Sequence, residues 1–550
     1  MTTNLRRWAG RALGAAAFGV VAIAPVLLVP PAGAGQDAPA PRVTGAVQVT
    51  DNPNSVRAHI VPLMTRNPTN GELVIGEVDA RGTRECVVHI SSDGGRSWSL
   101  GGPFMVKPFT DCSIGAEFGP SIQPFFDRDG VLNVAFAAND PAKLASSDRP
   151  TSTTDVREDI PRNSYLARST DGGRTFTTVL VAAGKEGSTQ TAYIDAPSGA
   201  VDPVNPRNVY VGWAQGDWSN EKDPIRTMVA ASTDGGKTFG APVEINGGVG
   251  ADYTFLVVDT KGVVHATFWS RGVGTEAWDP TQARINGRRN PTPLVHAWSA
   301  DNGKTWERNN IDPGNQRVYR AAPLAVDLNS GALYAVWHQY PDPLNFEANR
   351  DGKDRVDVYF SASTDGGRTW SKKVVVNEGP QSGVNHELPG IAVAPNGRID
   401  IAWYDYRFSP RTGSGAGVQD VFYASSTDQG RTFSRNIRVT DRSIDRSIGV
   451  YAGAIGVNIN VGITSTDSAA YIAWQDTRNG RPNTQSEDIY TASVQLGGPT
   501  ADTGTPASSG NGIAGWVFLV SGMAIGAGVA CGLMWLAVSR SRGNPTPSAA

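Results

Sequence analysis

The sequence predicts an all-β fold, a seven-bladed β-propeller, on three observations. One octapeptide pattern returns six times, from Ser91, Ser169, Ser232, Ser299, Ser363 and Ser426. A pair of β-rich segments precedes each copy, and a seventh pair follows the last. The segment just ahead of the first unit also matches the outer strand of the sixth, so the ring is predicted to close with a strand from the N-terminal end.

The copies read SSDGGRSW, STDGGRTF, STDGGKTF, SADNGKTW, STDGGRTW and STDQGRTF, spaced by about 63 residues, and such periodicity signals a repeat architecture. Before each lies an aromatic-ended strand such as NVYVGWA at Asn208, ALYAVWH at Ala332 or RIDIAWY at Arg398, then a second such as DVFYASS. Enrichment in Val, Ile, Tyr and Trp, bounded by Gly, Asn and Pro, is a strand signal. A preceding strand such as HELPGIAV at His386 and a following one such as KKVVVN at Lys372 make four per unit, the content of a propeller blade. The seventh unit, AAYIAWQD from Ala469 and EDIYTASV from Glu487, has neither octapeptide nor outer strand. AVQVTDN at Ala46 resembles IRVTDRS at Ile437, the outer strand of unit six. Ala46 to Thr50 is therefore expected beside the Ile489 strand, removing an open sheet edge.

The ends read differently. Arg6, Arg7 and Arg11 precede an apolar run from Ala15 to Val29 and a small-residue site at Ala32-Gly33-Ala34, so 1–34 is expected to be a signal peptide. The paired arginines fit either the general or the twin-arginine export route. Residues 35–496 form the propeller and 497–512 a Gly/Thr/Pro/Ser linker. Ile513 to Val538 carries no charge and is long enough to span a hydrocarbon layer of roughly 30 Å. Arg540 and Arg542 follow, which places 539–550 in the cytoplasm and the propeller outside.

These ends hold five of the 49 Lys and Arg residues and none of the 52 Asp and Glu, which leaves the body a net −8. An acidic body without a basic cluster excludes nucleic acid as a partner. Of the three cysteines Cys531 falls in the predicted span, and Cys86 with Cys112 forms an expected single bridge worth about 3 kcal/mol. No metal spacing, phosphate loop or nucleophile elbow is present, and HELPG at His386 lacks the second histidine of a helical metal motif. No cofactor or metal is expected.

The octapeptide resembles the Asp box, the BNR repeat of sialidases and related propellers, over nearly the whole predicted ectodomain. The residues themselves describe a hairpin turn. Asp93, Asp171, Asp234, Asp301, Asp365 and Asp428 are placed to accept backbone N–H groups, the glycines allow positive φ, and the terminal aromatic caps the blade core. A catalytic site is needed once, whereas a structural element recurs in every blade. The octapeptides sit between the third and fourth strands, so the opposite face carries the inner-strand starts and the long loops 139–162, 215–224, 270–291, 338–355 and 404–419.

Aligning the inner strands puts ionisable groups at that mouth: Arg57 and His59, Glu117, Asp195, Asp252 with Tyr253, Arg320, His386 with Glu387, and Tyr451. Ionisable groups there denote either a wetted channel entrance or a binding site. The resemblance implies three arginines on a substrate carboxylate, a tyrosine nucleophile polarised by a glutamate, and an aspartate acid/base. It assigns Tyr451 as nucleophile and Arg57, Arg320 and Arg407 as clamps. Glu117, Glu276 or Glu387 would polarise the tyrosine and Asp195 or Asp252 would act as acid, with His59, Tyr253 and His386 binding substrate. The chain departs from the family in lacking its Phe/Tyr-Arg-Ile-Pro motif, since Arg57 stands in SVRAHIVP, and in having seven units rather than six. Arg407 also admits another reading: WYDYR at Trp403 is echoed by WQDTR at Trp474, as expected of a loop brace. The implied activity is exo-α-sialidase-type hydrolysis of terminal sugars on an extracellular glycan or glycoprotein; the alternative is a non-catalytic glycan- or protein-binding propeller of the cell envelope.

Overall fold

The computed structural model describes residues 40–496 except 52–57, 82–83, 106–111, 113–121, 143–160, 185–192, 217–224, 249–250, 271–283, 286–287, 290–292, 313–316, 319–321, 341–355, 379–383, 410–416, 450–460 and 482–485. Every named element is a strand, and among the described residues no helix is long and apolar enough to cross a membrane. The predicted signal peptide, linker, span and tail lie outside the described residues.

Seven antiparallel sheets form seven blades. Their inner strands are His59–Arg66, Ile122–Phe126, Tyr193–Val201, Ala251–Val258, Leu324–Val326, His386–Val393 and Gly462–Ser465. Each touches the next, and the seventh touches the first, which closes the circle. Seven apolar clusters fill the seven spaces between blades. Strand alternation explains this division, because successive side chains point to opposite faces and each blade serves two clusters.

Blade seven is closed as the sequence match requires. Val47–Gln48 pairs antiparallel with Asp488–Gln495, Val47 opposite Thr491 and Gln48 opposite Tyr490. The Val49 amide donates to the Ile489 carbonyl at 2.8 Å. A second short strand, Arg42–Val43, pairs further along the same edge.

The octapeptide turns are built alike. In the second copy the Ser169 hydroxyl donates to Asp171 Oδ1 at 2.7 Å and accepts from the Gly173 amide at 2.7 Å. Asp171 Oδ1 also accepts the Arg174 and Thr175 amides, while the Thr175 hydroxyl donates to Oδ2 at 2.6 Å. Positive φ falls on glycine except at Asn302 and Gln429, the two copies in which the pair is broken. The terminal aromatics Trp98, Phe176, Phe239, Trp306, Trp370 and Phe433 each pack into the cluster between their own blade and the preceding one. Between blades six and seven, where no octapeptide exists, Val43 and Ala46 of the closing segment pack in its place.

Register fixes the two faces. In blade six His386 lies opposite Asp405 and Asp405 opposite Asp420, whereas Val393 lies opposite Ile399 and Ile399 opposite Ser426, the octapeptide serine. The recurrent turns thus occupy the end of the blade opposite the inner-strand starts. Cys86 and Cys112 are disulfide-bonded, with a Cα separation of 5.3 Å.

Candidate functional site at the channel mouth

The inner strands surround a central cavity of about 110 Å³ lined by Leu63, Pro124, Phe255, Leu324, Ile391 and Ile463, one from each of six blades. Gln123 also lines it, but its Oε1 accepts the Gly199 amide of blade three at 3.0 Å. Apart from Gln123 the side chains lining this waist are apolar and carry no charge, so the ionisable groups that could bind an acidic sugar lie at the mouth.

Four inner strands share a device at that mouth. Register shifts fall between Ile60 and Leu63, Asp195 and Ser198, Asp252 and Phe255, and Glu387 and Gly390. Val61 and Leu388 adopt φ of 68° and 55°, left-handed values that side chains disfavour. Such bulges re-aim the residues beside them and recur near functional sites. In sequence they directly follow Asp195, Asp252 and Glu387, and in blade one the residue after His59.

Arg57, Glu117, Glu276, Arg320 and Tyr451 lie outside the described residues. Asp195 and Asp252 sit on their strands opposite Ala214 and Trp269, and Tyr253 falls within the blade-four bulge. Glu387 is buried, opposite Tyr404, and the next amide, that of Leu388, donates to His338 Nδ1 at 3.1 Å.

His386 and Arg407 converge on one carboxylate. His386 Nδ1 lies 2.8 Å from Asp405 Oδ2, Arg407 donates from Nε and Nη2 at 2.9 and 2.7 Å, and Trp403 Nε1 adds a bond at 3.0 Å. Burial works against ionisation of Asp405, yet His386 and Arg407 outweigh it and hold the carboxyl at about 2. The Arg407 guanidinium also stacks 3.9 Å from the Phe422 ring. Blade seven repeats this, with Arg478 Nη2 on Asp476 at 2.7 Å, Trp474 on the same carboxylate, and the guanidinium 4.1 Å from the Tyr490 ring. Blade one pairs Arg81 with Asp79. Two donors of the Arg407 fork, Nε and Nη2, are thus engaged by Asp405, as in the brace reading of WYDYR. His59 is likewise spent inward, with Nδ1 3.0 Å from buried Glu77.

The sequence reading missed a further pair. Arg446, in the loop from blade six to blade seven, places Nη1 3.4 Å from Glu487 Oε1, and both side chains are buried. Its amide donates to the Gly417 carbonyl at 2.9 Å, and the Thr477 hydroxyl to the neighbouring Asp445 carbonyl at 2.9 Å, so the loop is held from both sides. Gly449, at φ 105°, backs onto Glu487 where a Cβ would come within 2.7 Å of the carboxyl carbon. Among the described residues Arg446 Nε and Nη2 have no acceptor. Tyr404 completes the group: burial drives its phenol upward, against the Gln475 amide and the Arg446 charge that favour ionisation. Glu487 directly precedes the strand that starts beside Asp476, so the cluster stands at the mouth end. RSIDRSIG carried no periodic signal, and aligning inner strands alone passed over the loop that leads into them.

Fold and mouth together define an all-β, seven-bladed propeller with charged groups gathered at the rim opposite its repeated turns. No family model matches the chain, and no curated protein matches it. Solved structures similar to it include a protein of unknown function from Dyadobacter fermentans (13% identity, 83% of this chain and all of that one, TM-score 0.44). A Hadza microbial sialidase is similar at 16% identity, 75% of this chain and 74% of that one, with a TM-score of 0.40. The α-L-arabinofuranosidase of Fusarium graminearum in complex with an iminosugar inhibitor is similar at 11% identity, 82% and 98% coverage and a TM-score of 0.46. At such identities and scores, function rests on this chain's own residues.

Proposed function

We propose that the chain is a membrane-anchored, extracellular sialidase-like propeller that acts on acidic terminal sugars of a glycan or glycoprotein. Arg446 carries the reading. A buried guanidinium whose Nε and Nη2 nitrogens find no acceptor among the described residues is costly to keep, by about 1–3 kcal/mol for each unmade bond, and its planar fork suits a carboxylate. In this reading a substrate carboxylate completes Arg446 in the place first given to Arg407, with Arg57 and Arg320 beside it. Tyr451, five residues beyond Arg446 in the chain, is the nucleophile. Glu387, Glu117 or Glu276 polarises it, and Asp195 or Asp252 protonates the leaving oxygen. Propellers host catalysts and binders alike, so the activity is assigned from these residues.

A fluorogenic sialoside is the direct test. Turnover by the full chain, lost in Tyr451→Phe and reduced at least tenfold in Arg446→Ala, is the expected result, since a charge-assisted bond is worth about 1.5–3 kcal/mol. One observation favours the second reading, a non-catalytic glycan- or protein-binding propeller: Arg407, His59 and His386 are all engaged inside the fold. Absence of turnover on a panel of terminal sugars, with retained glycan-array binding that Arg446→Ala abolishes, would select it.

A further inference from the structure

The seam between blades seven and one holds a buried cluster of one carboxylate and two imidazoles. Glu77 Oε1 accepts from two imidazoles, lying 3.0 Å from His59 Nδ1 and 3.1 Å from His89 Nε2, and Glu77 is fully buried. His59, Glu77 and His89 come from the first, second and third strands of blade one. His89 lies opposite Ile75, His59 opposite Asp79, and Glu77 two residues from both Ile75 and Asp79, so all three share one face of the blade. Ile75 packs with Val49, Ala473 and Ile489, which makes that face the one meeting blade seven and its closing strand. The His59 amide also donates across the seam to the Glu487 carbonyl at 3.0 Å.

We propose that this trio is an acid-favoured clasp on the ring: one imidazole takes a proton to neutralise Glu77, and the seam between blades seven and one loosens as that proton leaves with rising pH. The charge inventory supports this. Among the described residues Glu77 has these two imidazoles as its hydrogen-bond partners, and its Oε2 has none. Nearby Asp79 is paired with Arg81, and Glu85 on the third strand is exposed. From blade seven, Glu487 is paired with Arg446, Asp476 with Arg478, and Asp488 is bound by Thr50 and Asn479, while Tyr471 packs at the apolar end of the seam. The inner strands of blades two and seven bring no ionisable side chain. Neutralisation therefore falls to the histidines, because a bare carboxylate in a buried site is strongly disfavoured.

The direction of the pH effect follows. Burial lowers His59, but the Glu77 carboxylate outweighs it and holds the imidazole above its usual 6.5. Its contribution is complete below 6.5 and disappears as pH rises through the folded value. Burial raises Glu77, yet His59 and then His89 hold it at about 2, so its contribution is present above 4.5 and lost only as pH falls toward 2. The clasp is tightest between these limits, in weakly acidic solution.

Hydrogen exchange on the full chain tests this. Protection of the Val49 and Ile489–Thr491 amides, corrected for intrinsic rates, should fall several-fold more between pH 5.5 and 8.0 than that of Val209–Gly216 in blade three. Glu77→Gln keeps an acceptor without the charge and should abolish the difference. Equal protection at both pH values, or an unchanged pH response in Glu77→Gln, overturns the proposal. Wild-type chain labelled with ¹³C-histidine gives a second readout that needs no variant: one imidazole titrating above 6.5 supports the clasp, and none doing so overturns it.

Discussion

Thr50 and Asp488, 438 residues apart in the chain, are joined by a buried 3.2 Å hydrogen bond from the Thr50 hydroxyl to Asp488 Oδ1. The same hydroxyl accepts the Ile489 amide at 3.0 Å. In blade six Thr440 does the same work, donating to Asp420 Oδ1 at 2.7 Å and accepting the Val421 amide at 3.3 Å. The shared VTD of AVQVTDN and IRVTDRS therefore encodes a side-chain latch as well as a strand. Thr50→Val, close in shape and without the hydroxyl, should destabilise the chain by about 1–3 kcal/mol, because it strands a buried amide and a carboxylate oxygen together. Urea unfolding checks this, and Thr440→Val should cost a similar amount; a neutral Thr50→Val would show that strand pairing alone closes the ring.

The octapeptide carboxylates set an acid limit on the fold. Asp93, Asp365 and Asp428 are held at about 2, and Asp171, Asp234 and Asp301 lower still. For Asp171 the causes are the Thr175 hydroxyl, the Thr175 amide and the Ser169 hydroxyl, in that order. A lowered carboxyl stabilises above its unfolded value and loses that contribution as pH falls through the folded one. Asp171→Ala should thus lower the thermal midpoint at pH 7 and converge with wild type below pH 3, followed by circular dichroism. Its ligand readout should not change, since the turn lies at the far end of the blade from His386 and Glu387.

Arg407 and Arg478 should behave as braces. Arg407→Lys retains the charge but not the fork on Asp405 or the stack on Phe422. With Asp405 fully buried, a loss of about 1–2 kcal/mol is expected, discounted for the partial exposure of the arginine. Arg478→Lys should match it in calorimetry. A stable Arg407→Lys variant that lost glycan affinity would return Arg407 to the ligand.

The architecture was legible because each of its parts repeats. Six turns, seven strand pairs and the echoed VTD needed no knowledge of what lies across the channel. WYDYR and WQDTR were legible as a brace for the same reason. The mouth was not, because bulges after Ile60 and Glu387 break the alternation on which side-chain direction is read, turning His59 toward Glu77 and His386 toward Asp405. Arg446 occurs once, in an irregular loop, and its meaning depends on Glu487 at the next blade. Repetition specifies scaffolds; a site is a single event assembled from different blades.

His296 predicts a pH response opposite to that of the blade-one seam. It lies fully buried in blade four, 3.1 Å from His265 Nδ1, stacked on Trp298 and cradled against Gly367 of the fifth octapeptide. Burial first, and the His265 charge second, push it down to about 3. The native imidazole refuses a proton that the unfolded one takes near 6.5, so this site loses stability as pH falls from about 6.5 toward 3. Between pH 7 and 5 the loss should be about 2 kcal/mol. His296→Gln, which does not titrate, should flatten that limb in urea titrations. Because the Glu77 cluster gains as pH falls toward 6.5 and His296 loses below it, a global melt of wild type reports their sum and passes through a maximum between the two limbs. Glu77→Gln should then expose the His296 limb as a net loss of stability in acid, and His296→Gln should expose the seam as a net gain. Two single variants that tilt the same curve in opposite directions would separate the contributions; parallel curves would show that neither cluster titrates as its surroundings dictate.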